Sequence, residues 1–178
     1  NTTQITTAAN IGARIDPTFS YFAGRFPDIQ FTSIDMQPTI AESNAALQQH
    51  PNWKFQSGYA LHLFRDQGFG SDLVYMTSTS PKFNTLEFRE YLEAFKARGV
   101  KAIVFNEPWW VFALGLSSFR NLKPEDVDPD NSSLGGFLAD YHHNFPVALE
   151  RAGFDIVLAR MTPGTRSSGG YFHHLQIV

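Results

Sequence analysis

Gly12 and Asp35 are the residues whose types and spacing point most directly to chemistry. Asp35 follows Gly12 by 23 positions, near the roughly 20-residue interval at which a strand-turn-helix-strand unit sets a carboxylate against a ribose hydroxyl. The stretch that contains them, TTAANIGARIDPTFSYFAGRFPDIQFTSIDM at residues 6–36, reads as strand, turn, short helix and second strand. Asn10, Gly12, Ala13 and Arg14 form the turn. Asp16 before Pro17 makes a helix opening, an N-cap acceptor followed by a preset φ. A turn of this kind brings backbone N–H groups and a helix N-terminus to a ligand, and a small residue lets the ligand approach. Only one glycine of the G-x-G-x-x-G pattern is present, so the expected ligand carries no phosphate on this helix. The alternative is an ordinary β-α turn in which Gly12 only relieves crowding.

The elements that must position this pair follow from the rest of the chain. Residues 4–11 read as the first strand, 17–25 as a short helix and 29–34 as the second strand. Pro38 opens a helix to about Gln49, which His50-Pro51 stops. Residues 53–56 form a short third strand with Ser57-Gly58-Tyr59 as its turn, and 60–67 make one or two helical turns. A fourth strand at 73–76 leads into the polar run Thr77-Ser78-Thr79-Ser80. Asn84 with Glu87 is a capping-box start for a helix closed by Gly99, its buried face drawn from Leu86, Tyr91, Leu92 and Phe95. The apolar run 100–105 is the pattern of a strand covered on both faces, ending at Asn106-Glu107-Pro108.

Residues 109–135 are irregular, rich in Pro, Asp and Ser, and carry Trp109, Trp110, Phe112 and Phe119; the aromatic residues favour a lid over a tail. A helix at 137–152, kinked at Pro146, is followed by strands at 154–159 and 171–178 joined through Thr-Pro-Gly-Thr-Arg-Ser-Ser-Gly-Gly, a hairpin signature. Five strand-helix alternations and a closing hairpin predict an α/β fold: a doubly wound, mostly parallel seven-stranded sheet with a C-terminal antiparallel hairpin strand and helices on both faces. All 178 residues are read as one domain.

Composition narrows the classes. Hydrophobic residues make up 43% and charged residues 17%, so a folded globular chain is expected and disorder is not. Seventeen Phe and 15% aromatics are enough to serve a pocket as well as a core. With a net charge of −3 and scattered Lys and Arg there is no basic stripe, and no nucleic-acid partner is expected. The chain has no cysteine, which excludes thiolate metal sites. His173 and His174 alternate faces on a strand while His50 and His62 are isolated, so no metal site is expected. No apolar run is long enough to span a bilayer, and a cytoplasmic location is the default expectation. A G-x-S-x-G elbow and a P-loop are absent, which weighs against hydrolase and NTPase readings.

With these elements in place the chain resembles a class I S-adenosylmethionine-dependent methyltransferase. The resemblance runs over nearly all of it: the NIGAR turn stands where the family has its glycine-rich first motif, FTSIDM ends in the ribose-binding acid, and AGFDIVLAR with YFHHLQIV supplies the closing strands. It implies S-adenosylmethionine as cofactor and methyl transfer to a small-molecule acceptor, with oxygen the favoured atom. It also implies that Asn10, Gly12 and Ala13 lie beneath the methionine moiety and that Asp35 accepts from the ribose hydroxyls. Met36 would lie on the adenine with Tyr59 or Ala60 near its other side, and Ser57 and Thr77 at the ends of their strands complete the cofactor set. A hydroxyl acceptor must lose its proton, for which Glu107, His142 and His143 are the candidates; adjacent helical residues point about 100° apart, so at most one of the two histidines faces the site. The first motif departs from the family pattern by lacking its acid and further glycines. Two competing readings follow: a binding module that kept the fold and lost catalysis, and a nicotinamide-dependent oxidoreductase. The missing N-terminal helices suggest a fragment or a minimal domain.

Overall fold

The structure, a computed structural model, describes residues 4–13, 17–46, 48–77, 79–109, 145–167 and 170–177. In chain order the elements are β1 (Thr7–Ile11), α1 (Pro17–Arg25), β2 (Gln30–Asp35), α2 (Pro38–Ala46), β3 (Trp53–Ser57), α3 (Ala60–Arg65), β4 (Leu73–Thr77), a 3-10 turn (Ser80–Lys82), α4 (Thr85–Ala97), β5 (Ala102–Trp109), α5 (Phe145–Arg151), β6 (Ala159–Ser167) and β7 (Gly170–Ile177). The strands lie in the order β3-β2-β1-β4-β5-β7-β6. The first five in that order are parallel, and β7 runs antiparallel to both β5 and β6. The mostly parallel α/β sheet expected from the strand-helix alternation is the one that forms.

The period-two alternation of the strands sorts their side chains onto two faces. Ala9, Ile11, Ile34, Val74, Met76, Ile103 and Phe105 point to one face, where Leu61 and Phe64 of α3, Phe88, Leu92 and Phe95 of α4, and Leu149 of α5 cover them. Ala8, Phe31 and Trp53 point to the other, against Phe19 and Ala23 of α1. Phe19 meets Phe31 edge-on at 5.1 Å, a favourable quadrupole arrangement. Helices therefore pack on both faces.

Helix α4 shows how local sequence chooses the buried face. Phe88, Tyr91, Leu92 and Phe95 fall at i, i+3, i+4 and i+7 and are buried. Leu86 lies off that stripe and is 56% exposed, which corrects the expectation that it joins the core. The Asn84 side chain accepts from the Glu87 N–H at 2.8 Å, the capping interaction anticipated from the sequence.

Two polar clamps set the sheet. Buried Asn52, just before β3, donates to the carbonyls of Ala23, Phe26 and Ile29 at 3.1, 3.1 and 2.9 Å, tying the end of α1 to the start of β2. At the amino end of the sheet, the Asp72 carboxylate accepts from the Thr6 N–H and hydroxyl at 2.7 Å each and from the Thr7 N–H at 3.2 Å, and pairs with Lys101 at 2.7 Å. Lys101 first, then the Thr6 and Thr7 donors, hold this carboxyl well below the usual carboxylate range.

A depressed carboxyl stabilises the fold above the unfolded-chain value, 3.8, and that contribution is lost as pH falls through the lower folded-state value. The Asp72 side chain is 15% exposed, so Asp72→Asn is expected to cost about 1–3 kcal/mol at neutral pH. Urea titrations at pH 7 and in strong acid check this: the wild-type advantage must shrink in acid.

Several boundaries differ from expectation. Helix α2 stops at Ala46 rather than near Gln49. Strand β5 runs on through Asn106, Glu107 and Pro108 instead of ending before them. The backbone of Ala102 donates toward β4, to Asp72, so alternation turns the nitrogen of Pro108 to the β4 side as well. The pairing with β4 has already ended at Asn106, so the missing N–H of Pro108 costs no ladder bond.

Residues 154–158 take no regular structure, with Val157 83% exposed, so the strand expected at 154–159 is displaced to Ala159–Ser167. Its Pro163 and Gly164 belong to the stretch expected to connect the hairpin. They fall at a register shift between Pro163 and Arg166 on the edge strand, where a bulge tolerates them. Pro146 stands in the first turn of α5 and ends no helical run there. The helix expected from residue 137, apart from α5, and the lid expected at 109–135, apart from Trp109, lie outside the described residues, as do Arg14, Ile15 and Asp16.

Candidate functional site

The carboxyl ends of β1, β2, β3 and β4 form one rim, because Ile11 is in register with Ile34 on one side and Met76 on the other, and Asp35 with Ser57. Chain direction across the sheet reverses at β1, flanked by β2 and β4. That reversal opens the crevice in which open α/β sheets hold ligands. The Gly12 turn leaves β1 at this switch point, and Asp35 ends the neighbouring strand.

Gly12 has φ of 71°, a left-handed conformation that favours glycine. Its N–H donates to the Ile34 carbonyl at 2.9 Å, and the Ala13 N–H donates to the same oxygen at 3.2 Å. The amides of Gly12 and Ala13, the described residues after β1 in this turn, are thus committed to β2. A Cβ at Gly12 would lie 2.5 Å from Oγ1 and 2.7 Å from Cγ2 of Thr79. Buried Thr79 leans over the turn from the end of β4, its hydroxyl 3.0 Å from the Ile11 carbonyl and 3.0 Å from that of Thr77. Sequence reasoning passed over Thr79; the signal available was its place in a polar run leaving the strand next to β1.

Asp35 is half-buried at the strand tip. Its Oδ1 accepts from the Gln37 N–H at 2.9 Å, which orients the carboxylate, and its carbonyl accepts from the Gly58 N–H at 2.9 Å. Met36 beside it is 65% exposed, and Ser57 is exposed in the facing register position. Thr77, at the end of β4, has a buried hydroxyl that no described residue bonds. Asn10 is buried one residue inside the strand end, in register with Ser33 and Tyr75.

Tyr59 follows β3 and turns toward α4. Its hydroxyl donates to Glu87 Oε1, and its ring stands edge-on to His62 at 5.0 Å and to Tyr91 at 6.1 Å. Burial pushes the Glu87 carboxyl up, against the opposing pull of the Asn84 backbone, and burial raises Tyr91 as well. Glu87 entered the sequence reading only as a capping residue; its bond to Tyr59 joins residues on two different helices' starts and left no local signal.

The structure therefore brings Gly12, Ala13, Asp35, Met36, Ser57 and Thr77 to one rim, with Asn10 beneath it and Tyr59 directed to the α3–α4 side. Glu107 stands within β5, opposite Leu175 of β7, rather than at a strand end. His142 and His143 lie outside the described residues.

This mostly parallel sheet, with a glycine turn at β1 and an acid at the tip of β2, is consistent with the fold of class I S-adenosylmethionine-dependent methyltransferases. Solved structures agree. The chain superposes on the mitomycin 7-O-methyltransferase MmcR with a TM-score of 0.63 at 14% identity, over 97% of this chain and 48% of that one. With magnesium protoporphyrin IX methyltransferase from Synechocystis PCC 6803, which holds S-adenosylhomocysteine, the TM-score is 0.60 at 14% identity, over 96% and 73%. A protein described as a pericyclic reaction enzyme gives 0.62 at 9% identity, over 98% and 43%. The chain spans about half the length of the first and third of these. No family profile and no curated protein sequence matches it. Among the described residues no helix is long and apolar enough to cross a membrane.

Proposed function

We propose that the chain binds S-adenosylmethionine at the β1–β4 switch point and transfers its methyl group to a small-molecule acceptor, at oxygen. The observation that carries this reading is the Asp35 carboxylate, oriented by the Gln37 N–H at the tip of the strand beside the Gly12 turn, in a fold shared with O-methyltransferases. Asp35 would hold the ribose, with Ser57 and Met36 open beside it, and the buried Thr77 hydroxyl is a polar group that a ligand atom would satisfy. The bound cofactor would supply an activated methyl group on a sulfonium, and the protein's part is to hold donor and acceptor in attack geometry.

The β6–β7 hairpin is the proposed counterpart of the family's closing strands, in one domain whose residues 109–135 cover the acceptor. Glu107, His142 and His143 remain the candidates for the proton acceptor. The methionine half of the cofactor fits the rim less well: the amides of Gly12 and Ala13 are committed to Ile34, and Thr79 fills the space over Gly12. That observation favours, as a second reading, a binding module without turnover.

Calorimetric titration with S-adenosylhomocysteine tests the assignment. Asp35→Ala is expected to weaken binding by about 1–3 kcal/mol, the loss of a charged hydrogen bond. Binding that ignores the substitution, or its absence from the wild type, would remove the reading. Methyl transfer from S-adenosylmethionine to any acceptor in a small-molecule screen would separate the enzyme from the silent module.

A further inference from the structure

We infer, on the methyl-transfer reading above, that the acceptor carries a carboxylate and that Arg160 holds it, at the outer end of a polar row crossing the sheet from the cofactor rim. The row follows from register. Ile34, Ile11, Met76, Phe105, Ile177 and Ala159 are neighbours in turn from β2 to β6, and the first four are buried in the core. One residue nearer the rim the character changes: Thr77 on β4 is in register with Asn106 on β5, Asn106 with Gln176 on β7, and Gln176 with Arg160 on β6. Asp35 occupies the same level on β2.

Alternation puts this polar row on the face opposite that core, the face to which Leu73 and Tyr75 belong. Nearer the amino end of the same face, β4 and β5 carry Leu73 with Ala102 and Tyr75 with Val104, so the change from apolar to polar is abrupt. One level further out, His174 is in register with Pro108 and with Thr162. From β4 to β6 the two levels therefore hold hydroxyls, amides, an imidazole and a guanidinium. They hold no carboxylate, and Glu107 falls on the other face by the same alternation. A donor-rich set of this kind suits an anion. Arg160 is exposed and forms no ion pair among the described residues. Its planar guanidinium can offer two parallel N–H donors, the match to a carboxylate. Strands lie about 4.8 Å apart, which sets Arg160 about 10 Å from Asn106 and about 14 Å from Thr77 along the sheet. An acceptor with its hydroxyl beside the cofactor and its carboxylate one ring and a short chain away spans that interval, given the reach of an arginine.

Heteronuclear NMR on the full chain, with S-adenosylhomocysteine present, compares para-hydroxyphenylpropanoate with its neutral amide, two probes of one shape that differ in charge. The acid is expected to bind about three- to tenfold more tightly, the effect of one charge-assisted hydrogen bond at a partly open site. It should also shift the Arg160 Nε–H signal, which the amide should leave in place. Arg160→Ala should bring the two probes to equal affinity, with S-adenosylhomocysteine binding as the control that the fold and the cofactor rim are intact. Arg160→Lys keeps the charge without the paired donors and should restore part of the preference.

Equal affinities in the wild type overturn the inference, and so does a preference for the acid that survives Arg160→Ala; a cation that only guards an edge strand gives the first of these results. Binding of neither probe overturns it as well. In each case bound S-adenosylhomocysteine leaves the cofactor reading standing. If that ligand fails to bind while the acid still shifts Arg160, the methyl-transfer reading falls and the carboxylate site remains.

Discussion

Asn52→Ala is expected to lower the unfolding free energy by about 3–5 kcal/mol, a large share of a domain's total stability. The side chain is an amide with two hydrogens placed among three carbonyls, those of Ala23, Phe26 and Ile29, and Asn52 is 9% exposed. Truncation removes the donor these carbonyls share, the bond to Ala23 being buried and those to Phe26 and Ile29 partly so, and each buried unsatisfied group costs about 1–3 kcal/mol. The carbonyl of Asn52 also takes the Phe31 N–H at 2.7 Å, so relaxation around the vacancy would disturb the β2–β3 pairing. Chemical denaturation checks the prediction, with the nearby exposed Gln49→Ala as a control that should move stability by under about 0.5 kcal/mol. An Asn52→Ala loss no larger than the control's would show that the amide is not a clamp.

The second large effect belongs to Gly12→Ala. A Cβ there must accept φ near 71°, which costs an L-residue roughly 1–2 kcal/mol, and must displace the Thr79 hydroxyl from a 2.5 Å approach, an overpacking cost of about 1–3 kcal/mol. Together a loss of about 2–4 kcal/mol is expected. The two causes separate in a double-mutant cycle. Thr79→Gly should recover the steric part and leave the backbone part, so the pair should be less destabilised than the sum of the singles. Additive effects would mean that Thr79 does not pack on the turn.

The framework was legible because its signals are local. Pro17 sets the start of α1, and Asn84 with Gly99 brackets α4. The apolar run at 100–105 announces a buried strand, and Asp35 marks the end of β2. What could not be read depends on neighbours distant in sequence. Pro108 looked like a strand end, yet it is harmless within β5 because β4 has already finished beside it. Pro163 and Gly164 looked like a turn, yet an edge strand absorbs them in a bulge. Leu86 looked like core until the stripe set by Phe88, Tyr91 and Phe95 decided the face of α4.

At the site, the glycine and the acid were visible, while the residue that fills the turn was not. Thr79 is 67 positions after Gly12, and only the β1–β4 pairing brings it there. The resemblance sets Tyr59 beside a base; its hydroxyl bond to Glu87 at the start of α4 carried no local signal.

The position of β1 bears on the order in which the protein takes shape. Thr7 pairs with Gln30, whereas Ala8 on the same strand also pairs with Leu73, and the Thr6–Asp72 clamp that secures that second pairing joins residues 66 apart. Closing the longer loop costs more chain entropy and requires more of the chain to have been synthesised. The β1-β2-β3 unit, tied by Asn52, can order first, with Asp35 already at its edge. Thr79 reaches Gly12 only when β4 arrives, so on the ribosome the carboxylate rim exists before the turn beside it is sealed.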